Sequence, residues 1–208
     1  MQKKLNLNIH IHTLALAFLF SLVVSGCATP PTQDVSLHSA HHQSMLAEKN
    51  NWLIKGKIGF KSPEKKQSAN MRWQQKPAEY QLNLTSIIGT SILKMTGDTQ
   101  HVSLEVDDKT YQDTDPSRLI WRITGWQIPI KDLQYWIKGQ HKPNDWVTIS
   151  EQGWVTQLTP VCDYCENLVI DYANYQLVDQ LWLPHKITLN NQSNNSQLLI
   201  KVNTWTLN

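Results

Sequence analysis

Trp52-Leu53-Ile54-Lys55-Gly56-Lys57-Ile58-Gly59-Phe60-Lys61 sets the period on which the chain is built. Trp52, Ile54, Ile58 and Phe60 fall on one parity, and Lys55, Lys57 and Lys61 on the other, which describes a strand with one dry face and one wet one. Ser62-Pro63-Glu64 makes a turn, after which Ala69, Met71 and Trp73 alternate with Asn70, Arg72 and Gln74. Pro77 ends that strand, and Tyr80, Leu82 and Leu84 alternate again. Strands are expected at 92–96 and 101–106, with Gly97-Asp98 turning between them. Short alternating strands joined by short turns predict an antiparallel meander.

Two helices interrupt it. The first is expected from Asp115, with Pro116 at its first position, through Leu119, Ile120 and Ile123 to Gly125 at the C-cap. The second starts near Pro129 and carries Ile130, Leu133, Trp136 and Ile137 on one stripe, with Lys131, Asp132, Gln134 and Lys138 elsewhere, before Gly139. Strands resume at 146–149, 154–158, 168–172, 186–189 and 197–207, with a polar hairpin tip at 190–196. Leu198, Leu199 and Ile200 are consecutive, so the last strand is expected to be buried on both faces or bulged. The class is therefore mainly β with helices (α+β).

The first residues read differently. Lys3 and Lys4 precede a short apolar run over 14–24, and Val24-Ser25-Gly26-Cys27 follows. This is the build of a secretory signal peptide, too short to span a membrane. It resembles bacterial lipoprotein signals, and the resemblance implies that Cys27 becomes the first mature residue, acylated on its sulfur and its amine. Ala28 behind it implies sorting to the outer membrane by the rule of that class. The expected divisions are a leader over 1–26, a lipidated N-terminus and tether over 27–34 containing Pro30 and Pro31, and one domain over 35–208. A helix is expected over 35–50, with Leu37, Met45 and Leu46 as its apolar positions.

Without residues 1–26 the 208-residue chain keeps 182, enough for one domain with a core of its own. Setting aside Lys3 and Lys4 leaves 17 basic residues against 17 acidic ones, a balance that argues against nucleic acid as a partner. Cys162 and Cys165 are an even pair in an oxidising compartment, so a local disulfide is the first reading, with a redox-active or zinc-binding pair behind it. His38, His41 and His42 have helical spacing but no acidic or cysteine partner, which favours a solvated helix face over a metal site. All 9 Trp lie after Cys27, and the whole sequence has only 3 Phe, a bias toward large rings with a polar N–H that suits core, interface or apolar cavity.

Enzymatic motifs are missing: there is no G-x-S-x-G, H-E-x-x-H, P-loop or dinucleotide fingerprint. The paired carboxylates Asp107-Asp108 and Asp113 with Asp115 sit at predicted turns and a helix start, where capping explains them. No enzyme, cofactor or metal is expected. The stretch Leu84-Thr85-Ser86-Ile87-Ile88-Gly89-Thr90 puts two isoleucines where a hairpin tip is normally polar. Either the strands are longer and both side chains point inward, or Ile87, Ile88 and Gly89 form an exposed apolar probe.

Residues 125–139, Gly-Trp-Gln-Ile-Pro-Ile-Lys-Asp-Leu-Gln-Tyr-Trp-Ile-Lys-Gly, resemble the G-W-x-x-P-x-x-x-L-x-x-W-x-x-G segment of the LolB family of outer-membrane lipoprotein receptors. Trp73-Gln74-Gln75, Gln152-Gly153-Trp154, Leu183-Pro184 before a strand, and the terminal stretch from Ile200 to Trp205 support it in order along the chain. The resemblance implies a half-closed antiparallel β-barrel of about ten or eleven strands, with a helical lid enclosing an apolar cavity for acyl chains. It also implies a fold similar to that of the periplasmic carrier LolA, and an exposed loop at Ile88-Gly89, with isoleucine for the usual leucine and Ile87 for a usual proline. The implied partners are a LolA-like carrier, acylated lipoprotein cargo and outer-membrane lipid, engaged by a monomer without nucleotide. Strand parity and the helix stripe nominate Trp52, Ile54, Met71, Trp73, Leu82, Leu84, Trp136, Ile137 and Trp154 as the cavity wall. The rival readings are a structural lipoprotein docking on a membrane complex, and a periplasmic thiol enzyme using Cys162 and Cys165.

Overall fold

The computed structural model describes residues 32–125, 128–162 and 165–208, and 32–34 by their backbone alone. Six strands come first after helix α1 (Thr32–Glu48): β1 (Trp52–Lys61), β2 (Lys66–Gln75), β3 (Glu79–Thr85), β4 (Ser91–Asp98), β5 (Val102–Val106) and β6 (Lys109–Asp113). Helices α2 (Pro116–Thr124) and α3 (Ile130–Trp136) follow, then β7 (Trp146–Ile149), β8 (Val155–Thr159), β9 (Leu168–Val178), β10 (Leu181–Asn191) and β11 (Ser196–Leu207). All eleven strands join one antiparallel sheet in the order β6-β5-β4-β3-β2-β1-β11-β10-β9-β8-β7. The first and last strands meet at its centre, and β6 and β7 are free edges, so the sheet is a barrel that does not close. The chain that leads from one free edge to the other is the stretch carrying α2 and α3.

The predicted parity holds in β1, β2, β3 and β5. Trp52, Ile54 and Ile58 of β1 are buried with Met71 and Trp73 of β2, Leu82 and Leu84 of β3, and Leu198, Ile200, Val202 and Trp205 of β11. Leu199, between Leu198 and Ile200, is half-buried on the outer face. The bulge lies further on, where Lys55 pairs with Thr204 but Gly56 pairs with Val202. There the two backbones approach so closely that a Cβ on Gly56 would stand 2.0 Å from the Lys201 carbonyl oxygen, and only glycine fits.

β6 is an addition to the expected strands. Its sequence Lys-Thr-Tyr-Gln-Asp offers one apolar residue, Tyr111, because an edge strand has little to bury. Asp107 and Asp108 supply the two-residue turn into it, both at positive φ, as that hairpin type requires. Leu183-Pro184 lies inside β10, not before a strand. Asp115 caps α2 by accepting from the backbone N–H groups of Ser117 and Arg118 at 2.9 and 3.3 Å, and Gly125 ends it in the left-handed region. Asp113 pairs with Arg118 and Arg122, and its bond to Arg118 holds its carboxyl well below the usual carboxylate range. Both carboxylates are occupied in structure.

α1 starts at Thr32, within the expected tether, and its dry face differs from expectation. Leu46 is buried and Met45 packs against the core as expected, but Leu37 is exposed, and Ser39 and His42 are buried with them. The face is polar because it docks on backbone: His42 Nε2 lies 2.8 Å from the Trp182 carbonyl oxygen, and Gln43 donates to that of Gly139 at 3.0 Å. Gly153, at φ +93°, leaves room for the helix, since a Cβ there would meet His38 Cβ at 2.9 Å. Of the three histidines expected on a solvated face, His42 is thus buried, and burial lowers its pKa.

Lys138, expected on the wet side of α3, is also buried. Its ammonium donates to the carbonyls of Leu46 and Lys49, both at 2.9 Å, closing the C-terminal end of α1 where a cation is favoured. Burial pushes its pKa from 10.5 down to about 8. Between those values the unfolded chain holds a proton that the folded one has released, so stability should rise with pH across that window. Above it the buried phenols of Tyr80, Tyr172 and Tyr175, pushed up by desolvation, stay protonated only in the fold, and their stabilisation is lost as pH climbs. Urea midpoints should therefore increase from pH 7.5 to about 9.5 and then decline, and Lys138→Met should flatten the rise.

Candidate lipid-binding site

The inner face of β1–β4 and β11 curves toward α2 and α3, and the space between them is apolar. Ile58, Met71, Trp73, Leu82, Leu84, Leu93, Leu198 and Ile200 face Ile120, Ile128, Ile130 and Leu133 across a cavity of about 30 Å³. The hydroxyl of Thr124, the one polar side chain in that wall, donates to the Ile120 carbonyl at 2.8 Å. Such a volume holds about one water molecule. α2 rests on β5, β6 and α3, and the Ile130 N–H donates to Ser117 Oγ at 3.1 Å, which ties the two helix starts together.

Two larger hollows share walls with this cavity. At one end a groove of about 240 Å³ runs between Phe60, Ala69 and Ile92 and shares Ile58 and Leu84 with it. At the other a mouth of about 460 Å³ opens between the β2–β3 turn at Pro77, the β4–β5 turn at Thr99, and α3 at Gln134 and Tyr135, sharing Trp73 and Ile130. A broader hollow of about 810 Å³ lies against Gln74, Gln81, Thr96 and Ser103.

The β3–β4 connection carries the two isoleucines outward. Ile87 and Ile88 are each 89 % exposed, and Ile92 at the rim of the groove is exposed with them. The turn beneath is firmly bonded: Gly89 N–H to Ser86 O at 3.0 Å, Ser86 N–H to Thr90 O at 2.8 Å, and Thr90 N–H to Ser86 Oγ at 3.1 Å. Gly89 closes it at φ +90°.

Of the nominated wall, Met71, Trp73, Leu82 and Leu84 line the cavity. Trp52, Ile54, Trp136 and Ile137 are buried outside its lining, with Trp52 edge-on to Trp73 at 5.3 Å and to Trp205 at 5.6 Å. Trp154 stands apart, half-buried against Tyr175 and Trp182 at 5.3 and 4.9 Å, because Val155 and Leu158 take the inward positions of β8. Ile120, Ile130 and Leu133 were not nominated although the helix stripes contain them. Cys162 and Cys165 form a disulfide with Cα atoms 5.1 Å apart, closing the turn before β9. Cys27 and the motif residues Trp126 and Gln127 lie outside the described residues.

A sequence profile described as "Outer membrane lipoprotein LolB" matches residues 50–205, from the entry of β1 to near the end of β11. The chain belongs to the LolB family. Outer-membrane lipoprotein LolB of Tolumonas auensis is 34% identical over 188 residues, covering 89% of this chain and 92% of that one. The LolB of Vibrio cholerae is 31% identical over 191 residues with the same coverage. Among solved structures, a LolA superfamily protein from Nitrosomonas europaea is similar with a TM-score of 0.53 at 9% identity, covering 85% of this chain and 93% of that chain. A DUF1329 family protein from Desulfovibrio piger gives 0.54 at 5% identity, covering 86% and 94%. At such identities the likeness is one of fold, and the fold is the half-open barrel that the LolB resemblance implied. The LolB match includes the whole β3–β4 connection and both lid helices.

Proposed function

We propose that this protein is an outer-membrane lipoprotein, held at the periplasmic face by acylated Cys27, that takes acylated lipoproteins from a LolA-like carrier and releases them into the outer membrane. The observation that carries the reading is the series of hollows that share wall residues, from the mouth, through the apolar cavity, to the groove rimmed by Ile92, together with the exposed Ile87 and Ile88. An acyl chain in water costs about 0.8 kcal/mol per CH₂, so cargo needs a dry path between carrier and bilayer. A cavity of about 30 Å³ cannot hold such a chain, so loading must move α2 and α3 or the side chains they present. No nucleotide is required when affinity rises from carrier to receptor to membrane. The protein acts as a monomer, and the exposed isoleucines touch the bilayer to let the chains leave.

A form with Cys27→Ala should still draw an acylated protein out of a LolA-like carrier in the absence of membrane. The measurement is transfer between the two purified proteins followed by co-elution. Failure to bind any acylated protein would remove the carrier reading and favour a structural lipoprotein with a filled core.

A further inference from the structure

The mouth holds polar atoms that the fold itself does not use. The indole N–H of Trp73, the amide oxygen of Gln75 and the hydroxyl of Tyr80 are buried and have no partner among the described residues. All three residues border the mouth. Strand geometry gathers them: Trp73 and Gln75 are two apart on β2 and share its inner face, and Tyr80 of β3 stands directly opposite Gln75. The Gln75 side chain is oriented, because its Nε2 donates to the Lys76 carbonyl at 2.8 Å and leaves Oε1 as the acceptor. The cluster therefore offers two donors and one acceptor. It does so where the apolar cavity begins, since Trp73 borders both hollows.

Leaving buried polar groups unsatisfied is costly, and native folds rarely keep several together without a ligand or water to meet them. The ligand that fits must carry an N–H and a carbonyl oxygen next to a long apolar tail. We propose that the mouth binds the amide linkage of an N-acylated N-terminal residue, with its carbonyl oxygen on Trp73 Nε1 and Tyr80 OH, its N–H on Gln75 Oε1, and its acyl chain passing Trp73 into the cavity. This rests on the carrier function proposed above and adds an orientation to it: linkage at the mouth, tail toward the groove. A glycerol ester of a phospholipid lacks the N–H that Gln75 would accept. A phosphate headgroup also finds no excess of positive charge, because Glu79, Asp98 and Asp132 border the mouth beside Lys131, Lys142 and His101, and Lys142 is paired with Asp132 at 2.6 Å.

The test uses the mature chain with Cys27→Ala and three fluorescent probes of equal chain length: an N-palmitoyl dipeptide, the matching palmitate ester, and a hydrocarbon dye. The unaltered mouth should bind the amide probe about tenfold more tightly than the ester, a preference of one well-made buried hydrogen bond. Gln75→Leu should abolish that preference, and Tyr80→Phe should weaken both carbonyl-bearing probes, while the hydrocarbon dye binds all three proteins alike. A preference that survives Gln75→Leu, or dye binding that falls in parallel with amide binding, overturns the proposal and leaves the carrier function standing. Binding of none of the probes by the parent protein removes the carrier function itself, and the mouth proposal with it.

Discussion

Ile88→Glu should leave the protein folded and able to take up cargo while delivery to membranes falls at least about thirtyfold. The side chain is 89 % exposed, so it contributes little to the core, and its loss should change the unfolding free energy by no more than about 0.5 kcal/mol. Burying an isoleucine in lipid is worth about 2 kcal/mol, and a carboxylate at the same depth adds a further penalty. The turn is held by three backbone-directed bonds and by Gly89 at positive φ, so the substitution should not collapse it. Vesicle flotation and lipoprotein delivery to liposomes, measured beside circular dichroism, check the expectation. Unchanged delivery would show that the loop does not enter the bilayer.

Leu133→Ala should separate stability from binding in opposite directions. Leu133 is 3 % exposed and faces the cavity from α3, so truncating it should cost about 2–5 kcal/mol in unfolding free energy. The same truncation removes part of what fills the space that an acyl chain must occupy. When the binding-competent state is a minor one, a change that favours it raises apparent affinity. A fluorescent fatty acid should therefore bind the variant several-fold more tightly, although the protein unfolds at lower urea. If affinity falls together with stability, the closed lid is not what limits loading.

Much of the architecture could be read from residue pattern because period-two alternation and helix caps are local signals. β1 to β5 and both lid helices follow from parity, Pro116, Asp115, Gly125 and Gly139. β6 is absent from that reading because an exposed edge strand with one aromatic residue carries no alternation to detect. The polar part of the buried face of α1 escaped for the opposite reason: Ser39 and His42 are buried, His42 against a backbone carbonyl, and no hydrophobicity pattern marks such a contact. For the site, parity separates inner from outer positions but not cavity wall from solid core. Trp52 and Trp73 share a parity, yet only Trp73 lines the cavity, since the lid helices decide where the packing leaves room. The unsatisfied atoms of the mouth depend on the pairing of Gln75 with Tyr80, which no single strand encodes.

The pairing of β1 with β11 also governs how the molecule comes into being. Residues 52–61 find their second neighbour only when 196–207 have been made, so the middle of the sheet is its most distant contact along the chain. Contacts of that range make folding slow, and until they form β1 and β10 present bare edges. A chain halted before Ser196 would own two half-sheets and no shared core. The apolar interior, whose wall includes Ile58 of β1 and Leu198 and Ile200 of β11, is therefore completed only when those two strands have met.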